Sequence, residues 1–233
     1  MHMFYIPDIS GSELILGETE SKHAVKILRL TKGSKVNIVD GKGGFYAAMI
    51  TEANSKECRL NVLYNQQKYG GKNFRIHIAM APTKNITRFE WFLEKATEIG
   101  IDEITPLLTE HSERKMIKSE RLRKILVSAM KQSQKAYLPK LNQLTPLKEF
   151  IKSRTEDWKF IAHCNHDETP HLKDMVKKGE DVVILIGPEG DFSPDELQNS
   201  LSLGFKEISL GNVRLRTETA GVVACIIVNL INE

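Results

Sequence analysis

The sequence predicts an α/β protein: a parallel sheet flanked by helices over residues 74–233, preceded by a small β-rich unit over residues 1–70. Three observations predict it. From residue 74 onward, short apolar runs alternate with stretches of helical period, the rhythm of strand–helix–strand crossovers. Before residue 66 the pattern is a two-residue alternation broken by a glycine-rich turn. Between the two, Gln66-Gln67-Lys68-Tyr69-Gly70-Gly71-Lys72-Asn73 is polar and glycine-bearing, a linker composition.

In the first unit, His23 to Leu30 places Val25 and Leu28 three apart and Ala24 and Leu28 four apart, which predicts a short helix. Lys22, Lys26 and Arg29 fall on its wet side. Val36-Asn37-Ile38-Val39 and Phe45 to Ile50 flank Asp40-Gly41-Lys42-Gly43-Gly44, so the pair is a hairpin. Arg59-Leu60-Asn61-Val62-Leu63 alternates with period two and extends the sheet.

In the second unit, Phe74 to Met80 reads as a strand. Thr87 followed by Glu90 has capping-box spacing and opens a helix with Phe89, Phe92, Leu93 and Ala96 on one face. Gly100 is its expected C-cap. Ile101 to Leu108 reads as a strand, and residues 119–135 as a basic helix with Leu122, Ile125, Leu126 and Ala129 buried. Trp158 to Ala162, Asp181 to Ile186 and Ile208 to Leu210 are further strands, the second apolar enough to be central. Ala220 to Ile231 is apolar nearly all round, so this helix is buried or packs on a second subunit.

The chain has 233 residues, 41% hydrophobic and 27% charged, which describes a globular protein with a core of its own. No run approaches the roughly eighteen apolar residues of a membrane span, and the amino terminus lacks the pattern of a signal peptide. Cys58, Cys164 and Cys225 are dispersed and without metal-ligand spacing, so we expect no metal site and a reduced, cytoplasmic compartment. Charge is uneven: residues 73–160 carry 17 basic and 11 acidic side chains, whereas residues 161–233 carry 6 and 12. A polyanionic partner would need such a basic sector, although a solvated helix face looks the same.

Two stretches carry chemistry. The first is "LIGPEGDFSPDEL", Leu185 to Leu197, where Gly187-Pro188-Glu189-Gly190 follows the central strand. Ligands of open parallel sheets bind at such strand ends. Ser193 as N-cap, Pro194 at the first helical position and Glu196 three residues on explain the rest as a helix start. Glu189 and Asp191 would repel a phosphate, so neither common phosphate loop fits. Acids there suit a ligand with hydroxyls, an amine or a positive charge, and S-adenosylmethionine has all three. A tight structural turn accounts for the residues equally well.

The second stretch runs from Leu210 to Gly221, again a strand end, a glycine, a polar loop and a helix start. Thr217 or Thr219 can cap that helix, and its dipole favours Glu218. The same dipole disfavours Arg216, which calls for a partner: Glu189, Glu218 or a nucleotide phosphate.

"LIGPEGDFSPDEL" with "SLGNVRLRTETA", preceded by "ITRFEWFLEKATEIGIDEITPL", resembles the RsmE-type 16S ribosomal RNA uridine N3-methyltransferases of the SPOUT superfamily. "HAVKILRLTKGSKVNIVDGKGG" is similar to that family's amino-terminal PUA-like β-barrel domain, so the resemblance spans essentially the whole chain. It implies a trefoil knot at the carboxyl end, a homodimer, and S-adenosylmethionine bound in the knot. It also implies methylation of N3 of a uridine in the decoding region of the small ribosomal subunit, with 16S rRNA as partner and no metal or membrane.

Carried onto this chain, the resemblance places the cofactor on Ile186, Gly187, Pro188, Glu189 and Gly190, on Leu210 and Gly211, and on Leu215, Thr217, Thr219 and Ala220. His163 falls where the family has a histidine facing the cofactor. Arg216 is expected to stabilise the uridine anion or an adjacent phosphate, and Glu218 or Glu189 to orient the base or accept its proton. RNA binding is expected at Lys26, Arg29, Lys84, Arg88, Arg114, Lys115, Lys131 and Lys135. The chain departs from the family at Asp191, where a glycine is usual, at His111 and Lys135 in place of arginines, and at Asn212-Val213 in place of Pro-Arg. The competing readings are a non-catalytic RNA-binding or ribosome-assembly factor and a methyltransferase of the same fold acting on another RNA.

Overall fold

The computed structural model describes residues 2–156, 158–164 and 169–233. It divides into two compact units, Met1–Gly71 with Met130–Leu138, and Lys72–Ala129 with Pro139–Glu233.

The first unit runs β1 (Met3–Tyr5), β2 (Glu13–Leu16), α1 (Glu18–Lys22), a π-helical turn (His23–Ile27), β3 (Lys35–Val39), β4 (Phe45–Glu52) and β5 (Cys58–Gln66). Its five strands lie in the order β1-β3-β4-β5-β2, with β1 and β3 parallel and the other pairs antiparallel. Alternation drives the burial: Val36 and Ile38 of β3, Ile50 of β4 and Leu60 of β5 are buried together with Phe4, Leu14 and Leu16. The expected hairpin forms, and Asp40 holds its turn by accepting the backbone N–H groups of Lys42 and Gly44 at 2.7 and 2.9 Å. The helix expected from residue 23 begins instead at Glu18, and Arg29 at φ 54° terminates it. Buried Ser21 anchors α1, its hydroxyl donating to the Leu16 carbonyl and accepting from the Cys58 N–H.

Residues 130–138, which sequence pattern assigns to the second unit, pack with the first. Met130 and Ala136 are buried with Val39, and Gly43 donates to the Ala136 carbonyl at 3.0 Å.

The second unit contains β6 (Ile76–Met80), α2 (Ile86–Ile99), β7 (Glu103–Leu108), α3 (Ser119–Gln132, its last turn in the first unit), β8 (Lys140–Leu141), β9 (Thr145–Pro146) and α4 (Leu147–Lys152). It continues with β10 (Trp158–Ala162), α5 (Leu172–Met175), β11 (Val182–Ile186), α6 (Pro194–Ser202), β12 (Lys206–Ile208) and α7 (Thr217–Asn232). The strands form one sheet, β12-β10-β11-β6-β7-β8, with β9 also on β7. Every pairing is parallel. The apolar run of β11 is buried at all five positions between β10 and β6, as a two-faced central strand requires.

Two caps differ from expectation. Asn85 is the N-cap of α2, accepting from both the backbone N–H and the hydroxyl of Thr87. Asparagine is a strong cap, so Thr87 becomes a donor to it, and Glu90 is left to accept from Arg121 at 2.8 Å. Neither Thr217 nor Thr219 caps α7; Arg216 occupies the N-cap position without a side-chain cap bond. Ser193, Pro194 and Glu196 do form the expected capping box at α6. α7 packs on α2 and β6, with Gly221 at the closest approach: a Cβ there would meet the Phe92 ring at 2.7 Å. Its Ile226 and Leu230 remain exposed. Among the described residues no helix is long and apolar enough to cross a membrane.

Candidate functional site

The order β12-β10-β11 brings the carboxyl ends Ile208, Ala162 and Ile186 side by side. The loops leaving them line a cleft of about 1150 Å³. Ile186, Gly187, Pro188, Glu189, Gly190, Leu210, Gly211, Leu215, Thr217, Ala220 and His163 all contribute to its wall. The two sequence-separated stretches therefore meet because their strands flank β10, a consequence of parallel topology and not of chain proximity. Glu218 and Thr219 lie apart, in a second cleft with Thr87, Arg88, Trp91 and Arg216.

The acids of the first loop have backbone partners. Glu189 accepts the Lys84 N–H at 3.0 Å, which ties the loop to the segment after β6. Asp191 accepts the N–H groups of Cys164 at 2.7 Å and Phe192 at 2.8 Å. Asp191 also sits at φ 61°, a left-handed conformation that glycine adopts freely and aspartate tolerates. His111 completes the brace, with Nδ1 3.0 Å from the carbonyls of Gly190 and Asp191. The sequence left the acids open between a ligand loop and a tight structural turn; in the structure both carboxylates accept backbone N–H groups that hold the loop's shape.

His163 is buried at the end of β10, with Nε2 2.8 Å from Glu207 Oε1 on β12. Next to it, burial and the Asp191 carboxylate push the Cys164 thiol up, against the opposing pull of Arg214, so a neutral thiol faces the cleft. Ser209 shapes the other wall, its hydroxyl bonded to both the N–H and the carbonyl of Gly211. Asp191 and His111 were visible as departures from the family pattern. Cys164 had no such signal, because its role depends on Asp191, 27 residues away, and Ser209, whose partner Gly211 is two residues on, was not singled out.

Neither Glu189 nor Glu218 is a hydrogen-bonding partner of Arg216. Exposed Arg216 lines both clefts, its side chain making no hydrogen bond or ion pair among the described residues. Glu218, buried, faces Arg88 instead, Nε to Oε1 3.8 Å.

The basic residues singled out for RNA have mixed fates. Arg114 donates to the carbonyls of Thr83 and Lys84, at 3.2 and 2.6 Å, and Lys84 pairs with Glu113 at 2.8 Å. Glu113 accordingly raises the Lys84 ammonium above its ordinary value. Lys131 is committed to Glu20, and Lys135 is half-buried in the 130–138 segment. Lys26, Arg29 and Lys115 are exposed, and no ion pair engages them among the described residues.

The comparisons with known proteins agree with this architecture. The model of an RNA methyltransferase domain matches residues 71–229, and that of an RNA methyltransferase PUA domain matches residues 16–63. Ribosomal RNA small subunit methyltransferase E of Aquifex aeolicus is 28% identical over 95% of this chain and 96% of its own. The Buchnera aphidicola protein of the same name is 30% identical over 93% and 88%. A crystal structure described as a probable rRNA-methyltransferase from Porphyromonas gingivalis superposes with a TM-score of 0.93 at 42% identity, covering 100% of this chain and 98% of that one. A Legionella pneumophila methyltransferase structure holding S-adenosylmethionine superposes at 0.90 with 28% identity, covering 99% and 97%. The fold is that of an α/β methyltransferase with an amino-terminal PUA-like unit. The chain belongs to the RNA methyltransferase family.

Proposed function

We propose that this protein transfers a methyl group from S-adenosylmethionine to N3 of a uridine in 16S, small-subunit ribosomal RNA. One observation carries the reading: a cleft walled by the glycine-bearing loops after β11 and β12 opens beside Arg216, an exposed arginine whose guanidinium has no partner among the described residues. The likeness to relatives named for small-subunit rRNA and to a neighbour holding the cofactor supports it.

The residues fit that cofactor. The cleft is large enough for a nucleoside with an amino-acid tail, and its loops bring the backbone of Gly187, Gly190 and Gly211 to the wall. A Cβ on Gly211 would meet nothing within 4 Å, so backbone faces open space there. Leu210 and Leu215 give apolar walls. The polar lining of Glu189 and Asp191 suits a sulfonium and hydroxyls better than a phosphate.

When bound, S-adenosylmethionine supplies a methyl carbon on a sulfonium, which leaves as a neutral thioether. The chain's share is to hold the uracil, remove the N3 proton and stabilise the resulting charge. Arg216 holds the negative charge on the uracil carbonyl oxygens or on a flanking phosphate. Glu218 receives the N3 proton through water, since its carboxylate accepts no hydrogen bond among the described residues while that of Glu189 is taken by Lys84. Once the proton has left, the N3 electron pair forms the new bond to the methyl carbon.

The enzyme acts as a homodimer in the cytoplasm. Exposed Ile226 and Leu230, four apart on α7, supply an apolar face for a second copy. Calorimetry with S-adenosylmethionine tests the reading: wild type and Arg216→Ala both bind the cofactor, and only wild type methylates. Absence of cofactor binding would favour a non-catalytic RNA-binding or ribosome-assembly factor.

A further inference from the structure

Beside the cofactor cleft lies a second one of about 560 Å³, and the two share Arg88, Arg214, Leu215 and Arg216. Its far wall is Trp91, on the second turn of α2. The other aromatic side chains of that helix, Phe89 and Phe92, are fully buried, whereas Trp91 is 42% exposed. Trp91 therefore contributes a surface indole without being needed in the core. The cleft also contains Glu218, whose side chain is only 10% exposed and whose one ion-pair partner among the described residues is Arg88, at 3.8 Å.

We propose that this second cleft holds the target nucleotide, with the face of the uracil stacked on the Trp91 indole. The inference rests on the reading that the substrate is an RNA uridine. An enzyme that alkylates a base must take it out of its stack, and an extruded base regains contact by lying on an aromatic side chain. A cleft sharing a wall with the cofactor site is where that base can meet the methyl group. The arginines common to both clefts carry donors for the uracil carbonyl oxygens and for the phosphates on either side. Cytosine presents an amino group where uracil presents O4, so an arginine at that edge also selects between the two pyrimidines. Glu218 then lies on the base side of the boundary, where the N3 proton is released. Trp91 stacks and positions; it exchanges no proton.

Single-turnover methylation of small ribosomal subunits lacking the modification, compared for Trp91→Ala, Trp91→Leu and Trp91→Phe, tests this. Stacking on an aromatic side chain stabilises an extruded base, so Trp91→Ala and Trp91→Leu should lose roughly five-fold to a hundred-fold in kcat/KM for the subunit. Trp91→Phe should restore most of it. S-adenosylmethionine affinity and the sedimentation mass should be those of wild type in all three. Full activity in Trp91→Ala, equal rescue by leucine and phenylalanine, or a changed sedimentation mass would each overturn the proposal. Wild type in the same assay tests the underlying reading separately: if it transfers no methyl to a uridine N3, that reading fails whatever the variants do.

Discussion

The Asp191 carboxylate accepts the backbone N–H of Cys164 at 2.7 Å and so ties the loop after β11 to the end of β10. Its other oxygen accepts the Phe192 N–H, and its own backbone is left-handed at φ 61°. Removing the side chain separates these contributions. Asp191→Ala loses both bonds and keeps a conformation alanine dislikes, a combined cost of about 2–4 kcal/mol. Asp191→Gly loses the bonds but relaxes the backbone and should cost about half as much, with Asp191→Asn milder still. Urea unfolding gives the order, and cofactor titration should weaken in the same order.

The close approach of α7 to α2 yields a second expectation. Alanine has the better helix propensity by about 1 kcal/mol, yet a Cβ at Gly221 would sit 2.7 Å from the Phe92 ring and 3.0 Å from Met80 Sδ. Overpacking of a tight core costs about 1–3 kcal/mol, so Gly221→Ala should lower the Tm and Gly221→Val should lower it further. Phe92→Leu should recover part of the loss.

At the amino ends of β6 and β7, buried His77 lies 2.8 Å from Thr105 Oγ1 and 3.5 Å from Glu156, which also faces Arg154. Burial pushes the Glu156 carboxyl up, but hydrogen bonding from His77 and from its own backbone, with the Arg154 charge, outweighs it and holds the group at about 2. Glu103 is likewise held below its ordinary value, against burial, by Asn142 and Lys140. A carboxyl lowered by folding stabilises the protein above its unfolded pKa of about 4.3, and that stability is lost as pH falls toward 2. Glu156→Gln should therefore cost more stability at pH 6 than at pH 3, read from unfolding curves at the two values.

Much of the architecture was legible because it is local. The hairpin around Asp40–Gly44, the central strand β11 and the Ser193–Glu196 capping box follow from alternation, apolarity and spacing over a few residues. The cap of α2 was misplaced because Asn85 and Thr87 both suit the position, and only the hydrogen bonds decide between them. β8, β9 and the packing of Met130–Leu138 with the first unit left no periodic trace, since they depend on pairing with distant segments. The site shows the same division. Its glycine-bearing loops were visible as strand ends, but the roles of Asp191 and Cys164 exist only once β10 lies beside β11, and that of His111 only once β7 and β11 share a sheet.

Arg114 and Lys115 are sequence neighbours with different expected roles. Arg114 holds the carbonyls of Thr83 and Lys84, so Arg114→Ala should lower stability by about 1–2 kcal/mol. Lys115 is exposed, so Lys115→Glu should leave stability unchanged, weaken RNA binding and reduce the salt slope by about one. Binding measured at several salt concentrations distinguishes the two.

Mass mapping of the transferred methyl group tests the central claim most directly. Small subunits lacking the modification are incubated with labelled S-adenosylmethionine and either wild type or Arg216→Ala, and the 16S rRNA is digested to nucleosides. The account predicts label on N3 of a single uridine with wild type and at least a hundred-fold slower labelling with Arg216→Ala, the loss typical of removing one charge-stabilising group. Label on a ribose oxygen, on another base or on a different RNA, or undiminished labelling by Arg216→Ala, would contradict it.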